Sequence, residues 1–130
     1  MPRILIVEDD TAIRDMLARR LSMAGYETVF AEDGVRALLA SVQAAPDLIL
    51  MDMGLPILNG WQATERIKKR PETRHIPIIA LTAYALNEDR YRAMNIGCDD
   101  FEAKPINFDR LLQKIARLLT GTYEQREAAS

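Results

Sequence analysis

Several residue types that build reactive or metal sites are scarce in this sequence. The chain of 130 residues has one cysteine, Cys98, which excludes an internal disulfide framework and fits a reducing compartment. An isolated cysteine is most often a small buried hydrophobic residue, so we interpret Cys98 as a core residue rather than a reactive thiol. The one histidine, His75, has no Cys, His or acidic partner at ligand spacing. We therefore interpret His75 as a surface residue and exclude a Cys/His zinc site.

Long runs of one residue class are also missing. No basic run exceeds Lys68-Lys69-Arg70, and 17 basic against 19 acidic side chains give a formal net charge of -2. The chain therefore lacks the basic patch that is typical of nucleic-acid binders. Glu8 breaks the apolar run near the N-terminus, and no segment reaches the length of a signal-peptide core or a transmembrane helix. We expect a cytoplasmic protein that binds neither nucleic acid nor membranes.

Length and hydrophobic content limit the number of domains. At 130 residues and 48% hydrophobic content, the chain can bury one substantial core and is too short for two ordinary domains. Residues 121–130 show no apolar periodicity. We therefore predict one domain over residues 1–120, followed by a disordered tail or linker over residues 121–130.

Two kinds of apolar segment alternate along the domain. Short runs rich in β-branched residues are typical of strands buried on both faces, and apolar residues spaced three and four apart are typical of amphipathic helices. The predicted strands cover residues 3–7, 27–31, 48–51, 76–81 and 100–103. The predicted helices cover residues 11–24, 33–45, 60–70, 86–96 and 108–119. Five strand-helix units with short connections predict an α/β fold, a parallel sheet with helices on both faces.

Turn and capping residues separate these segments. Gly25 and Gly97 can end the first and fourth helices, because glycine readily adopts the left-handed conformation of a helix C-terminal cap. Asn107 can cap the last helix at its N-terminus. In the second helix, Val35, Leu38, Leu39 and Val42 have the i, i+3, i+4, i+7 spacing of a helix.

Polar side chains stand at the carboxyl ends of four predicted strands. Glu8 and Asp9 follow the first strand, and Asp52 ends the third. Thr82 ends the fourth strand and Lys104 follows the fifth. In an open parallel sheet, ligands bind beyond these ends, near the point where the strand order reverses. Each group alone is more often an ordinary surface residue, but their joint placement predicts a functional site.

These residue types predict a bound cation and an anion. Crowded carboxylates repel each other, so Glu8, Asp9 and Asp52 need a cation if all three are ionised. Hard oxygen ligands with room for water suit Mg²⁺ better than zinc. Lys104 adds a positive charge and Thr82 a hydroxyl donor, which would suit an oxyanion carried on Asp52. The implied chemistry is phosphoryl transfer to a carboxylate nucleophile.

At these residues the sequence resembles the receiver domains of two-component response regulators, of the single-domain type found among chemotaxis regulators. The resemblance covers residues 3–119. The matching motifs are Ile4-Leu5-Ile6-Val7-Glu8-Asp9-Asp10, Asp52-Met53-Gly54-Leu55-Pro56 with Gly60, Leu81-Thr82-Ala83, and Lys104-Pro105. The resemblance implies a flavodoxin-like (βα)5 fold, a doubly wound five-stranded parallel sheet with strand order 2-1-3-4-5.

The resemblance also implies which residues hold the metal and the phosphoryl group. Asp52 would be the phosphoacceptor. The cofactor would be Mg²⁺, or Mn²⁺, bound by Asp9, Asp52 and the backbone carbonyl of Gly54. Glu8 would act on it through water, and Asp10 is the less favoured ligand.

Three further residues take roles from the resemblance. Thr82 would bind the phosphoryl oxygens after modification, and Lys104 would pair with them. Phe101 would be the aromatic switch residue that turns inward, although it lacks the hydroxyl of the tyrosine common at that position. The result would be a signalling switch, not an enzyme with an external substrate, that promotes its own phosphorylation and dephosphorylation.

The implied partners are proteins on both sides of the signal. The phosphoryl group would come from a histidine kinase or a histidine phosphotransfer protein. A downstream protein would read the face formed by the fourth helix, the fifth strand and the fifth helix. We interpret Trp61, near the start of the third helix, as a packing residue rather than a partner contact.

Two positions predict a long-lived modification. The side chains two places beyond Asp52 and Thr82 flank the path of a hydrolytic water, and they are Gly54 and Tyr84. Gly54 offers no group to assist the water, and Tyr84 is bulky. We therefore expect slow autodephosphorylation.

Two other functions remain as alternatives. A degenerate receiver could serve only as a docking module, although the complete site argues against this. A Mg²⁺-dependent phosphatase with an Asp nucleophile needs Asp-x-Asp after the first strand, whereas this chain has Glu8-x-Asp10 and no room for a cap domain. A nucleotide-binding module is weaker still, because no Gly-x-Gly-x-x-Gly or P-loop pattern occurs.

Overall fold

Five parallel strands form one sheet in the order β2-β1-β3-β4-β5. The structure is a computed structural model that describes residues 1–83 and 87–129. The strands are β1 Arg3–Val7, β2 Glu27–Ala31, β3 Leu48–Asp52, β4 Ile78–Thr82 and β5 Asp100–Ala103. The predicted fold class and the implied strand order are both confirmed.

Five helices alternate with these strands. They are α1 Thr11–Met23, α2 Gly34–Gln43, α3 Gly60–Lys69, α4 Asn87–Asn95 and α5 Phe108–Ala129. Most element ends lie within two residues of their predicted positions. β4 begins at Ile78, two residues after the predicted start, because the ring of Pro77 leaves no backbone N–H for the sheet.

The core has two layers, one on each face of the sheet. Alternate residues of the central strands point to opposite faces, as the two-residue period of a strand requires. Ile4 and Leu48 pack with Leu17 of α1 and Leu111 of α5. The opposite face packs against α2, α3 and α4 through Ala37, Ala63, Ile67 and Ala93. Every residue of β3 and β4 is buried, which confirms the prediction of strands covered on both faces.

The apolar stripe that predicted α2 is not the face that the helix buries. Val35, Leu39 and Val42 are 45%, 55% and 49% exposed, whereas the buried residues are Gly34, Ala37 and Ser41. The reason is a close approach of the helix to the loop before α3. A Cβ added at Gly34 would lie 2.0 Å from the carbonyl oxygen of Leu58, so only small residues fit on the facing side. The apolar spacing correctly predicted a helix, but the helix buries its face of small residues instead of the apolar stripe.

Side-chain caps begin four of the helices. The Asp10 carboxylate accepts hydrogen bonds from the backbone N–H groups of Ala12 and Ile13 at 2.9 and 3.1 Å. Asp33 and Asn59 cap α2 and α3 in the same way. Asn107 accepts a hydrogen bond from the N–H of Arg110 at 3.1 Å, which confirms the predicted cap of α5. Gly25 and Gly97 have φ of +94° and +107°, as predicted for helix C-terminal caps.

The last helix extends beyond the predicted end of the domain. α5 continues to Ala129, whereas the sequence predicted a disordered stretch from residue 121. Extending an existing helix costs little, and residues 124–129 are Glu, Gln, Arg, Glu, Ala and Ala, most of them good helix formers. The division into a domain over residues 1–120 and a separate tail stays a prediction. Within residues 1–83 and 87–129, no helix is both long and apolar enough to cross a membrane.

A buried acid ties the edge strand β5 to α5. The side chain of Glu102 is buried and accepts hydrogen bonds from Arg110 Nε at 2.9 Å and from Lys114 Nζ at 2.9 Å. Burial alone would raise the pKa of Glu102, but the hydrogen bonds and charges of Arg110 and Lys114 outweigh it. The pKa of Glu102 is therefore held below its ordinary value of 4.5.

We expect Glu102→Gln to destabilise the protein in a pH-dependent way. A carboxylate with a depressed pKa contributes stability above its unfolded pKa, and this contribution is lost as the pH falls through the folded pKa. At pH 7 the free energy of unfolding should fall by about 2 kcal/mol, because the amide cannot replace the charged hydrogen bonds. Urea unfolding should show the difference between wild type and variant narrowing as the pH drops below 4.5.

Glu65→Gln is the matched control. Glu65 pairs with Lys69 at 2.8 Å on the exposed face of α3, so removing its charge should change stability little. Equal destabilisation by the two variants, or a pH-independent effect of Glu102→Gln, would contradict this account.

Candidate functional site

The carboxyl ends of the strands border a cleft of about 410 Å³. The predicted site residues Glu8, Asp9, Asp52, Thr82 and Lys104 all line it. A larger cleft of about 590 Å³ lies around Pro2, Pro46 and Pro77, at the opposite end of the sheet. The acidic cluster and the lysine belong to the first cleft alone. The structure thus brings together the groups that the sequence placed at four strand ends.

Three carboxylates meet at the floor of this cleft. Glu8, Asp9 and Asp52 each offer an oxygen within 4.8 Å of the others, a spacing that could hold a metal ion. Glu8 is 1% exposed and Asp9 is exposed, because the sheet pairing continues one residue past β1 through a hydrogen bond from the N–H of Glu8 to Ala31. Burial raises the pKa of Glu8 to about 7, and repulsion from Asp52 adds to the increase. This donor set is all oxygen and short of positive charge, which fits a hard divalent cation.

Lys104 supplies positive charge between two of these acids. Its Nζ lies 3.3 Å from Asp52 Oδ1 and 3.4 Å from Glu8 Oε2. Burial would lower the pKa of Lys104, but the charges of Asp52 and Glu8 outweigh it and raise the pKa above its ordinary value. The backbone N–H of Lys104 donates to the carbonyl of Thr82 at 2.8 Å, which fixes the lysine at the end of the sheet. Lys104 is therefore charged and directed at the carboxylate of Asp52.

Two glycines shape the loop after Asp52. The N–H of Gly54 donates to Asp52 Oδ1 at 3.1 Å and orients the carboxylate. A Cβ at Gly54 would meet only Asp52 Oδ1, at 3.8 Å, so the space beside the carboxylate is open. A Cβ at Gly60 would lie 2.2 Å from the backbone oxygen of Asp52. The start of α3 therefore touches the end of β3 where only glycine fits.

The two residues expected to switch lie on the neighbouring strands β4 and β5. Thr82 is buried and lines the cleft. The ring of Phe101 is 7% exposed, with the Arg90 guanidinium 5.9 Å from its centroid. The ring is thus already inside the protein in this conformation. Tyr84, expected to shield the site, lies outside the described residues.

Trp61 packs against the core as predicted, but the sequence did not indicate that Trp61 and Asp89 lie at the rim of the cleft. Trp61 lines it, and the Arg92 guanidinium of α4 stacks 4.3 Å from the ring centroid. Asp89, three residues before Arg92, lines the same cleft. The position of Trp61, shortly after the loop that follows Asp52, could have indicated its place at the cleft. No local pattern in the sequence reveals that α3 contacts α4. Asp10, the third acid after β1, caps α1. Its carboxylate is thus occupied by the helix, which fits the expectation that Asp10 is the less favoured metal ligand.

The interpretations of His75 as a surface residue and of Cys98 as a core residue are confirmed. His75 is exposed. Cys98 is buried, and burial raises the pKa of its thiol to about 12. A thiol with this pKa carries almost no thiolate at neutral pH, so it is a core residue rather than a nucleophile.

Comparison with known proteins finds the same family in sequence and in structure. The family model described as "Response regulator receiver domain" matches residues 4–116. The polar-differentiation response regulator DivK of Brucella anthropi is 38% identical over 120 residues, which cover 92% of this chain and 98% of DivK. The DNA-binding dual master transcriptional regulator RpaA of Synechocystis is 37% identical over 129 residues. That match covers 99% of this chain but 54% of RpaA, so the chain spans about half the length of that relative.

Solved structures give a similar result. The receiver domain of a sensor histidine kinase from Pseudomonas aeruginosa, with a magnesium ion coordinated in its active-site cleft, superposes with a TM-score of 0.84 and 35% identity. The match covers 92% of this chain and 98% of that one. The chemotaxis response regulator CheY4 of Vibrio cholerae superposes with a TM-score of 0.85 and 30% identity, covering 91% and 98% of the two chains.

The two loop glycines predict opposite responses to the same change. Gly60→Ala should lower the free energy of unfolding by about 2 kcal/mol, because its methyl group overlaps backbone atoms at the end of β3. Gly54→Ala should be nearly neutral, since its methyl group meets one atom at ordinary contact distance. Urea unfolding of both variants measures the difference. A neutral Gly60→Ala would show that α3 can move away from Asp52 at little cost.

Proposed function

The chain belongs to the response regulator receiver domain family, and from that premise we propose that it accepts a phosphoryl group on Asp52. Receiver domains are the signalling switches of two-component systems, which couple histidine kinases to downstream partners. The observation that carries the proposal is the pairing of Asp52 with Lys104 at 3.3 Å inside a three-carboxylate cluster. A single solvated turn would not place a charged lysine between two buried carboxylates.

The metal of this site would be Mg²⁺, or Mn²⁺, held by Asp9, Asp52 and the carbonyl of Gly54, with Glu8 acting through water. The all-oxygen donor set and the crowding of three carboxylates within 4.8 Å support the assignment. When bound, the ion would neutralise charge on the phosphoryl oxygens. The magnesium in the Pseudomonas aeruginosa receiver domain supports the same choice.

The protein's own groups then carry out the transfer. A carboxylate oxygen of Asp52 attacks phosphorus, and the bond from phosphorus to the donor's leaving atom breaks with its electron pair on that atom. The Lys104 ammonium stabilises charge on the phosphoryl oxygens, and the Thr82 hydroxyl donates a hydrogen bond to one of them. The N–H of Gly54, which holds Asp52 Oδ1, orients the nucleophile.

The switch would act on a conformational equilibrium. Two arrangements of β4 and α4 would exist before modification. Drawing Thr82 toward the new anion would favour one of them. Phe101 is already buried, so its part in the switch would be to hold the inward arrangement rather than to enter it. The face formed by α4, β5 and α5 would be read by a downstream protein.

The donor would be a histidine kinase or a histidine phosphotransfer protein in the cytoplasm. DivK, which the chain matches over nearly its whole length, supports a role for the domain by itself. RpaA is a DNA-binding regulator of greater length, and its activity is a property of that protein.

Phosphorylation from a small donor tests the proposal directly. With Mg²⁺ and acetyl phosphate, intact mass should show one added phosphoryl group, which Asp52→Asn should abolish. Chelating the cation with EDTA should prevent the addition. Asp15→Asn, which removes an exposed acid of α1, should leave it unchanged.

The other outcomes of that experiment identify the alternatives. No adduct on the wild-type protein would favour a domain that only docks. Continuous release of phosphate from small phosphate esters would favour an Asp-nucleophile phosphatase.

The lifetime of the modification depends on the neighbours of Asp52 and Thr82. Gly54→Asn should speed loss of the phosphoryl group about threefold or more, because an amide in the open space beside Asp52 can orient a water. Tyr84→Ala should speed it as well, by removing bulk near the path of that water. Loss of radiolabelled phosphate from the two variants and the wild type measures this. Equal rates for Tyr84→Ala and wild type would end the shielding argument.

A further inference from the structure

The rim of the Asp52 cleft has a charge that the proposed transfer does not use. Asp89 lies in the first turn of α4, is half-buried, and lines the cleft together with Trp61. None of the ion pairs in the described part of the chain includes it. Its charge therefore acts on whatever enters the cleft.

An aromatic stack fixes Asp89 at this rim. Among residues 88–95 of α4, only Ala93 is buried, so apolar packing holds this helix weakly. The Arg92 guanidinium lies 4.3 Å from the Trp61 ring centroid and joins α4 to α3. Asp89 and Arg92 are three residues apart and lie on the same face of the helix. The stack that holds Arg92 on Trp61 therefore also holds Asp89 over the cleft.

The side chains that line the cleft carry more negative than positive charge. Five carboxylates line it against the ammonium of Lys104, and they belong to Glu8, Asp9, Asp10, Asp52 and Asp89. The charge of Asp10 is offset by the two N–H groups it caps. A bound divalent cation would offset two more charges near Asp52. Asp89 remains at the entrance, where an incoming donor passes.

We propose that Asp89, held by the stack of Arg92 on Trp61, makes this site select phosphoryl donors whose leaving group is a protonated nitrogen. The favoured class is the phosphoramidate type, to which phosphohistidine belongs, and the disfavoured class is the acyl phosphates. The inference rests on the proposed function and adds to it the residue that discriminates between the two classes of donor.

The two classes differ in charge and in the bond that breaks. Acetyl phosphate is a dianion at neutral pH; its P–O bond breaks as Asp52 bonds to phosphorus, and the electron pair leaves on acetate. Phosphoramidate carries a protonated nitrogen and is a monoanion; its P–N bond breaks, and the electron pair leaves on ammonia. A carboxylate at the entrance repels the dianion more than the monoanion.

Rates of phosphorylation with the two donors test the inference. Mass measurement should follow the adduct formed from acetyl phosphate and from phosphoramidate, each with Mg²⁺, on the wild type and on Asp89→Asn. The variant should gain about three- to tenfold in rate with acetyl phosphate relative to phosphoramidate at low salt, because the two donors differ by one unit of charge that Asp89 repels. Added salt should shrink the gain.

Glu88→Gln is the matched control, because Glu88 is an exposed acid in the same helical turn that does not line the cleft. It should leave the ratio of the two rates unchanged. Arg92→Lys keeps the charge of α4 but loses the planar stack, and should move the ratio toward that of Asp89→Asn. If Arg92 served only to hold the fold, Arg92→Lys would slow phosphorylation from both donors by the same factor.

Three results would count against the inference. Equal ratios for Asp89→Asn and the wild type would overturn it and leave the proposed function intact. Equal responses of Asp89→Asn and Glu88→Gln would reduce the effect to the net charge of the helix. Failure of the wild type to gain a phosphoryl group from either donor would overturn the proposed function and this inference together.

Discussion

Repulsion among three carboxylates at one end of the sheet is the constraint on which the site depends. Asp52 and Glu8 are both buried there, and the one nearby ammonium lies within 3.4 Å of each. That ammonium arrives from β5, two strands away from β3, because the N–H of Lys104 is bound to the carbonyl that ends β4. The strand order is therefore part of the electrostatics, since another order would leave buried acids without their cation.

Much of the fold and site could be read from the sequence, because both follow from local chemistry. A polar residue directly after a buried strand lies at the edge of the sheet, and this placed Asp52 and Lys104 correctly. The face of α2 could not be read in this way, because it depends on the carbonyl of Leu58, which approaches the helix from another loop. The stack of Arg92 on Trp61 was missed for the same reason, since a contact between two helices has no period along the chain.

α4 differs from its neighbours α3 and α5 in how it is held. Its neighbours bury alanines, leucines and isoleucines, whereas one alanine and two arginine stacks join α4 to α3 and β5. Contacts of this kind contribute less free energy than a buried apolar face, and elements held in this way open at low cost. The helix proposed to respond to Asp52 is therefore easier to shift than α3 or α5, while the sheet beneath it stays fixed.

The position of Trp61 has a consequence for spectroscopy. It is the only tryptophan in the chain, and it lies at the rim of the cleft beneath a guanidinium, partly buried against one core layer. Its fluorescence emission therefore reports on the contact between α3 and α4, whereas circular dichroism reports on all five helices. Where the two signals diverge during unfolding, the emission records a change at Trp61 and its neighbours on α3 and α4, and not the loss of helix elsewhere in the protein.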